Sequence, residues 1–214
     1  MKSCSKLFIA SFITLLLWSP NSFAAGLGIF IDASGGGSGE FEWESDFNSR
    51  NVDSKAAAFG FVLDTAPTNE RVFNYRLNVG FARHEFDDID KIKSKGIYAE
   101  NIFGFALIKD ETLRWWVGPL VRVGFYSGDT DTVQLGSGAS MKTELDYAEF
   151  GVGAVTGLNV KVGNAILSPS IGVRFSGYGG EGEITTRDSF GTSSFKEDFE
   201  ASATNIFANF ALLF

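Results

Sequence analysis

The sequence predicts an all-β chain, an eight-stranded antiparallel up-and-down transmembrane β-barrel. Three observations point there. In the last stretch, 204–214, Ile206, Ala208, Phe210, Leu212 and Phe214 share one face while Asn205 and Asn209 share the other. A bare apolar strand at the end of a chain invites aggregation unless it has a partner, and closing a barrel on the first strand supplies one. Second, the same alternation recurs upstream, with short turns and long polar stretches taking turns between the segments. Third, glycine inside those segments falls on the polar face, although glycine did not define the faces.

The amino-terminus reads as a secretory signal peptide over residues 1–24. Lys2 and Lys6 precede an uncharged apolar run from Leu7 to Trp18, and Ser22-Phe23-Ala24 closes it. The run is too short to span a bilayer comfortably. Cys4 belongs to that segment, so the expected mature chain, 25–214, has no cysteine, no disulfide and no thiol chemistry. Losing Lys2 and Lys6 leaves 16 basic against 26 acidic side chains, a net charge of −10, which argues against nucleic acid as a partner. The full sequence holds 22 Phe and 25 Gly and shows no helical span after the signal, so the mature chain is either a membrane barrel or a soluble secreted β domain.

In order, the first strand covers 27–33, with Leu27, Ile29, Ile31 and Ala33 outside against Gly28, Phe30 and Asp32. The second puts Ala57, Phe59, Phe61 and Leu63 outside and Ala56, Ala58, Gly60 and Asp64 inside, ending at the turn 65–69. The third is the clearest: Phe73, Tyr75, Leu77, Val79 and Phe81 oppose Asn74, Arg76, Asn78, Gly80 and His84. In the fourth, Phe103, Phe105 and Leu107 oppose Glu100, Gly104 and Ala106, with Asn101 and Ile102 breaking the pattern. After a tight turn, 109–112, the fifth sets Leu113, Trp115, Val117, Val121, Val123 and Phe125 against Arg114, Gly118, Arg122, Gly124 and Tyr126. The sixth sets Ala148, Phe150, Val152, Ala154 and Leu158 against Tyr147, Glu149, Gly151, Gly153, Gly157 and Asn159. Past the turn 162–164, the seventh sets Leu167, Ile171, Val173 and Phe175 against Ser168, Ser170, Gly172, Arg174 and Ser176. Pro119 and Pro169 remove ladder donors and predict local bulges. The intervening stretches 34–54, 85–96, 127–144 and 179–197 are expected to be external loops.

The candidate site is the inner face. It carries Arg76, Arg114, Arg122 and Arg174, the acids Asp64, Glu100 and Glu149, and the amides Asn74, Asn78, Asn205 and Asn209. At this strand number the interior holds side chains only, so a polar network that plugs the lumen is expected rather than a charged pore. His84, the only histidine, is expected at the outer end of the third strand as a rim residue in an ion-pair network, and the nearby sequence offers Arg83, Glu85 and Asp87. No serine stands near it at a telling spacing, so no enzymatic activity is expected. The acidic stretches Asp87-Asp88-Ile89-Asp90, Asp129-Thr130-Asp131 and Glu40 to Glu44 match no full calcium-loop pattern, so neither metal nor cofactor is expected. Tyr75, Trp115, Phe125, Phe150 and Phe175 fit interfacial girdles on the lipid face.

With its signal peptide, eight strands and terminal Phe214 after alternating apolar residues, the chain resembles the small outer-membrane barrels of the OmpA/OmpX and OmpW type. The resemblance spans the mature chain and rests on pattern rather than on a diagnostic motif. It implies an outer-membrane location in a Gram-negative envelope, with outer-membrane lipid and lipopolysaccharide around a monomer. It also implies insertion by the barrel-assembly machinery, with Phe210, Leu212 and Phe214 as the assembly signal. The enzymatic barrels of this size, the lipid A deacylase and palmitoyl transferase types, pair a histidine with a serine and an acid; here Glu85-Phe86 follows His84. Three functional readings therefore stand: a non-enzymatic barrel with a plugged lumen and acidic external loops serving surface interaction or envelope integrity; a transporter admitting small apolar molecules through a lateral gap at Pro119; and a soluble ligand-binding barrel of lipocalin type, which would turn Arg76 and Arg122 outward.

Overall fold

The strand that ends the chain pairs with the strand that begins it. The computed structural model describes residues 26–44, 50–68, 71–87, 92–130, 132–135 and 138–214, so the expected signal peptide, 1–24, lies outside the described residues. The strands are β1 (Gly26–Trp43), β2 (Arg50–Asp64), β3 (Phe73–Asp87), β4 (Ile92–Lys109), β5 (Leu113–Asp129), β6 (Val133–Leu135), β7 (Ala139–Val162), β8 (Ala165–Asp188) and β9 (Gly191–Leu213). Eight of them form an antiparallel ring in which β5 pairs β7 and β9 pairs β1, while β6 is a short segment against β7 alone. At the seam Gly28 lies opposite Leu213 and Asp32 opposite Asn209, and the Phe214 N–H donates to the Leu27 carbonyl at 2.8 Å. Closure satisfies the backbone of the terminal strand, which would otherwise be an open apolar edge.

Polarity through the middle of the ring is inverted relative to a soluble domain. Leu27, Ile29, Ile31, Phe59, Phe61, Phe81, Phe125, Phe150, Phe175 and Ile206 are exposed outside, while arginines and acids are buried inside. Each large apolar side chain left in water forfeits roughly 1.5–3 kcal/mol. Only a hydrocarbon surround satisfies such a belt, and a belt of this kind on a closed ring is the arrangement of outer-membrane barrels. The soluble lipocalin-type reading is corrected at this point, because Arg76 and Arg122 both lie inside the ring and are fully buried.

Glycines on the inner wall make the space that the large inner side chains fill. A Cβ at Gly157 would come within 2.5 Å of the Trp116 ring, and one at Gly172 within 2.6 Å of the Phe207 ring. At the short-turn end, Gly163 takes a positive φ of 62° between β7 and β8. Asp110 turns the chain between β4 and β5 by accepting the Thr112 and Leu113 N–H groups at 2.7 and 2.9 Å, and these bonds hold its carboxyl below the ordinary carboxylate range.

Three expectations are corrected. The segments 34–54, 85–96, 127–144 and 179–197 are mostly strand: β1 continues to Trp43, β3 to Asp87, β7 begins at Ala139, and β8 and β9 run to within a two-residue turn of each other. Above the apolar belt these arms reverse the pattern, burying Phe41, Val52, Phe86, Ile92, Leu145 and Phe199 inside and exposing charge outside. Pro119 and Pro169 sit in unshifted register, opposite Ala154 and Phe210. Each costs paired rungs only toward its other neighbour, because a proline lacks a single donor. The irregularities lie instead between Ser34 and Gly37 and between Ala106 and Ile108. Asn101 and Ile102 do not break β4 either: Ile102 is an inward apolar residue, and the outward Asn101 accepts a hydrogen bond from the Tyr75 hydroxyl.

Candidate functional site

The lumen is built in three tiers. Nearest the short turns, Arg76 donates through Nε and Nη2 to Asp64 Oδ2 at 3.1 and 2.9 Å, and through Nη2 to Asn159 Oδ1 and Ser168 Oγ at 3.1 and 2.6 Å. Its guanidinium lies 4.8 Å from the centre of the Trp116 ring. The Trp116 indole N–H also donates to Asn159 Oδ1, at 3.0 Å. Arg114 reaches into the turn between β2 and β3, donating to the Arg71 and Val72 carbonyls at 2.7 and 3.1 Å and to Asn74 Oδ1 at 3.1 Å. Asn74 in turn donates to both oxygens of Asp64. Period-2 alternation on neighbouring strands puts all of these on one inner wall.

In the middle tier two arginines meet two glutamates. Arg122 Nε donates to Glu149 Oε2 at 3.0 Å, and Arg174 Nη1 donates to Glu100 Oε2 at 2.8 Å. The cross pairs are longer, with Arg122 Nη1 3.9 Å from Glu100 and Arg174 Nε 4.0 Å from Glu149. Tyr126 and Ser176 hydroxyls donate to the two Glu149 oxygens at 2.7 and 2.8 Å, and Asn78 Nδ2 donates to Glu100 Oε1 at 3.2 Å. Arg122 stacks 3.5 Å from the centre of the Tyr98 ring, and Arg174 lies 5.0 Å from that of Phe207. None of the four arginines is more than 2 % exposed. Asn205 donates to Ser54 Oγ at 3.3 Å. Asp32 and Asn209 face each other across the seam, both buried, with no side-chain hydrogen bond of ordinary geometry among the described residues.

The upper tier is aromatic. Phe41, Phe86, Tyr126, Tyr147, Tyr178 and Phe199 pack ring on ring, with Phe41 stacked on Phe199 at 5.0 Å and Tyr126 on Tyr147 at 5.2 Å. His84 is one of this cluster, which corrects its expected place at the rim. It is 3 % exposed, stacked on Tyr178 at 5.0 Å, with its ring nitrogens 2.8 Å from Ser54 Oγ and from the Tyr147 hydroxyl. The expected neighbours Arg83 and Glu85 pair with each other on the outer face, two residues apart on the same strand.

Every polar residue of the expected inner network therefore lies inside the ring. Asp32 already faces inward in the alternation of the first strand, and Tyr98 and Trp116 share the parity of their inward neighbours Glu100 and Arg114, so alternation alone could have added these two. The Ser54–His84 contact is a different case: it joins residues thirty positions apart across β2 and β3, and no local spacing carries it. Within the acidic stretches, residues 88–90 and 131 lie outside the described residues. Phe210 and Phe214 are exposed on the outer face of β9 and Leu212 is half-buried there.

The sequence matches no protein-family model and no curated protein. Among solved structures, the fold is similar to Neisserial surface protein A, at 14 % identity over 85 % of this chain and 95 % of that one, with a TM-score of 0.38. A major outer membrane protein from Thermus thermophilus is 13 % identical over 86 % of this chain and 98 % of that one, with a TM-score of 0.44. The outer membrane protein AlkL is 16 % identical over 91 % and 94 %, with a TM-score of 0.37. The barrel itself is established by the strand register of this chain.

Removing one partner of a buried ion pair leaves an uncompensated charge, at a cost of about 3–5 kcal/mol. Glu149→Gln, which strands Arg122, is expected to lower the unfolding midpoint of the vesicle-inserted barrel in urea. Lys196→Gln, which breaks the exposed contact with Glu181, is expected to leave it nearly unchanged. Equal effects from the two substitutions would count against a lumen held by its ion pairs.

Proposed function

We propose that this protein is a non-enzymatic outer-membrane barrel whose lumen is closed to solutes and whose long-hairpin end, on the outside of the cell, serves surface interaction or envelope integrity. The observation that carries the reading is the continuity of the three tiers. Ion-paired arginines fill the short-turn end and the middle, and packed aromatic rings cap the far end. An eight-stranded ring has room for side chains and little else, and open aqueous channels belong to larger barrels. The buried Ser54–His84 contact has a tyrosine rather than a carboxylate on the second ring nitrogen, and aromatic rings surround it. That setting favours a structural histidine over a nucleophile–base pair. The alternative of a conduit for small apolar molecules needs an opening at Pro119, where β5 loses rungs to β4 but keeps its register with both neighbours and its pairing with β7.

In this reading the partners are outer-membrane lipid, lipopolysaccharide and the barrel-assembly machinery, and the barrel is a monomer. The acidic surface of the long hairpins, with Asp146, Glu181 and Asp198 on neighbouring strands, gives that end a strong negative field and no affinity for nucleic acid.

Reconstituted into planar bilayers or liposomes, the folded barrel is expected to give neither steady ion conductance nor release of small polar or apolar solutes above that of empty membranes. Reproducible single-channel steps, or solute flux above that background, would overturn the closed-lumen reading. For assembly, deleting Phe214 is expected to reduce the heat-modifiable folded form in the membrane fraction more than a hairpin substitution such as Lys142→Gln. Normal surface levels of the truncated chain would contradict a terminal-strand signal.

A further inference from the structure

The outer face of β2, β3 and β4 carries a feature that the closed lumen does not account for. A trough of about 750 Å³ crosses these strands, lined by Ile31, Phe59, Phe81 and Ile97 along one wall and by Ala57, Arg83 and Lys95 along the other. Strand pairing explains its shape. Ile31, Phe59, Phe81 and Ile97 are consecutive cross-strand partners and form the last apolar rung below the long-hairpin end. Two residues further along each strand, roughly 7 Å nearer that end, come Ala57, Arg83 and Lys95, again paired in a row. The rung between them, Ala58, Ala82 and Gly96, faces inward and is small, so the backbone forms a shallow floor.

Arg83 and Lys95 are directly opposed like charges, an arrangement that costs stability unless something bridges them. Arg83 contacts Glu85 through Nε at 3.0 Å, and among the described residues Lys95 makes no ion pair. The patch is also out of keeping with the rest of the surface. On the opposite side of the barrel the equivalent outer rows are acidic, with Asp146, Glu181 and Asp198 paired in a line.

We propose that this trough binds a phosphorylated membrane lipid, its headgroup phosphate held between Arg83 and Lys95 and an acyl chain lying along Phe59, Phe81 and Ile97. The inference rests on the membrane placement of the barrel. The charge complementarity fixes the occupant's chemistry: two cations about 5 Å apart at their Cα atoms suit one phosphate. An apolar wall directly beneath them suits a hydrocarbon chain and offers nothing to a free anion. The position, at the edge of the apolar belt, is where a lipid places the junction between headgroup and chain.

The test is native mass spectrometry of the folded barrel in nonionic detergent, titrated with phosphatidic acid, with phosphatidylcholine of the same chains, or with inorganic phosphate. The wild type is expected to retain phosphatidic acid about thirtyfold more tightly than phosphatidylcholine, the scale of two basic side chains at a membrane surface. The double variant Arg83→Gln/Lys95→Gln is expected to lose that preference, and Lys142→Gln/Lys196→Gln, on the opposite side, to keep it. Inorganic phosphate is expected not to displace the lipid. No preference in the wild type, a preference that survives in the first variant, an equal loss in the second, or displacement by inorganic phosphate would each overturn the site. Heat-modifiable migration reports folding of every variant independently. Recovery of the chain as a soluble species without detergent would overturn the membrane placement and the site together; a folded, detergent-requiring barrel with no preference overturns the site alone.

Discussion

A charge enclosed by eight strands has too little room to keep its water, so it must find its counter-charge elsewhere on the inner face. Much of this molecule follows from that constraint. Among the described residues the lumen buries Arg76, Arg114, Arg122 and Arg174 together with Asp32, Asp64, Glu100 and Glu149, four basic and four acidic side chains. Arg76 with Asp64 and Arg122 with Glu149 lie on neighbouring strands, Arg174 reaches Glu100 across the lumen, and the Tyr126 hydroxyl and the Asn78 amide donate to further glutamate oxygens. Glycines on the same face let these long side chains and the Trp116 and Phe207 rings lie against the wall.

The constraint changes at the membrane edge. Within the belt, hydrocarbon outside demands apolar side chains there, and the interior takes the polar ones. Beyond the belt water surrounds the arms, so the arrangement reverts to that of a soluble β structure, with Phe41, Phe86 and Phe199 packed inside and acids outside. On β1 the reversal coincides with the irregularity between Ser34 and Gly37, which shifts the inward parity from Phe30 and Asp32 to Gly39 and Phe41. One fold thus serves two solvents by changing which face is apolar.

This explains how much could be read from the chain. The strand number, the seam between β1 and β9 and the inward face of each membrane segment follow from alternation, because the belt makes that signal strong. The long arms were hidden because polarity flips along the same strand, and segments such as Gly36 to Glu44 then read as loop. Ile102 misled in the same way: it joins a small apolar cluster inside the lumen with Trp116, Leu120, Val155 and Phe207, against the expectation of a uniformly polar interior. The place of His84 was hidden for another reason. Its partners Ser54, Tyr147 and Tyr178 come from three other strands, and only closure of the ring brings them together.

In the proposed reading the lumen is closed, and the surfaces left for function are the acidic hairpins and the basic trough on the belt's edge. Solvent access at the centre of the lumen tests that division most directly. The only cysteine in the sequence is Cys4, so single cysteines can be introduced into the mature chain without interference. Ser170→Cys places a thiol on the buried inner wall, and Ser127→Cys places one on the exposed outer face. A small charged thiol reagent is expected to modify the second rapidly and the first far more slowly in the folded barrel. Equal rates at the two positions would mean that water and solute pass the arginines, and would contradict a closed lumen.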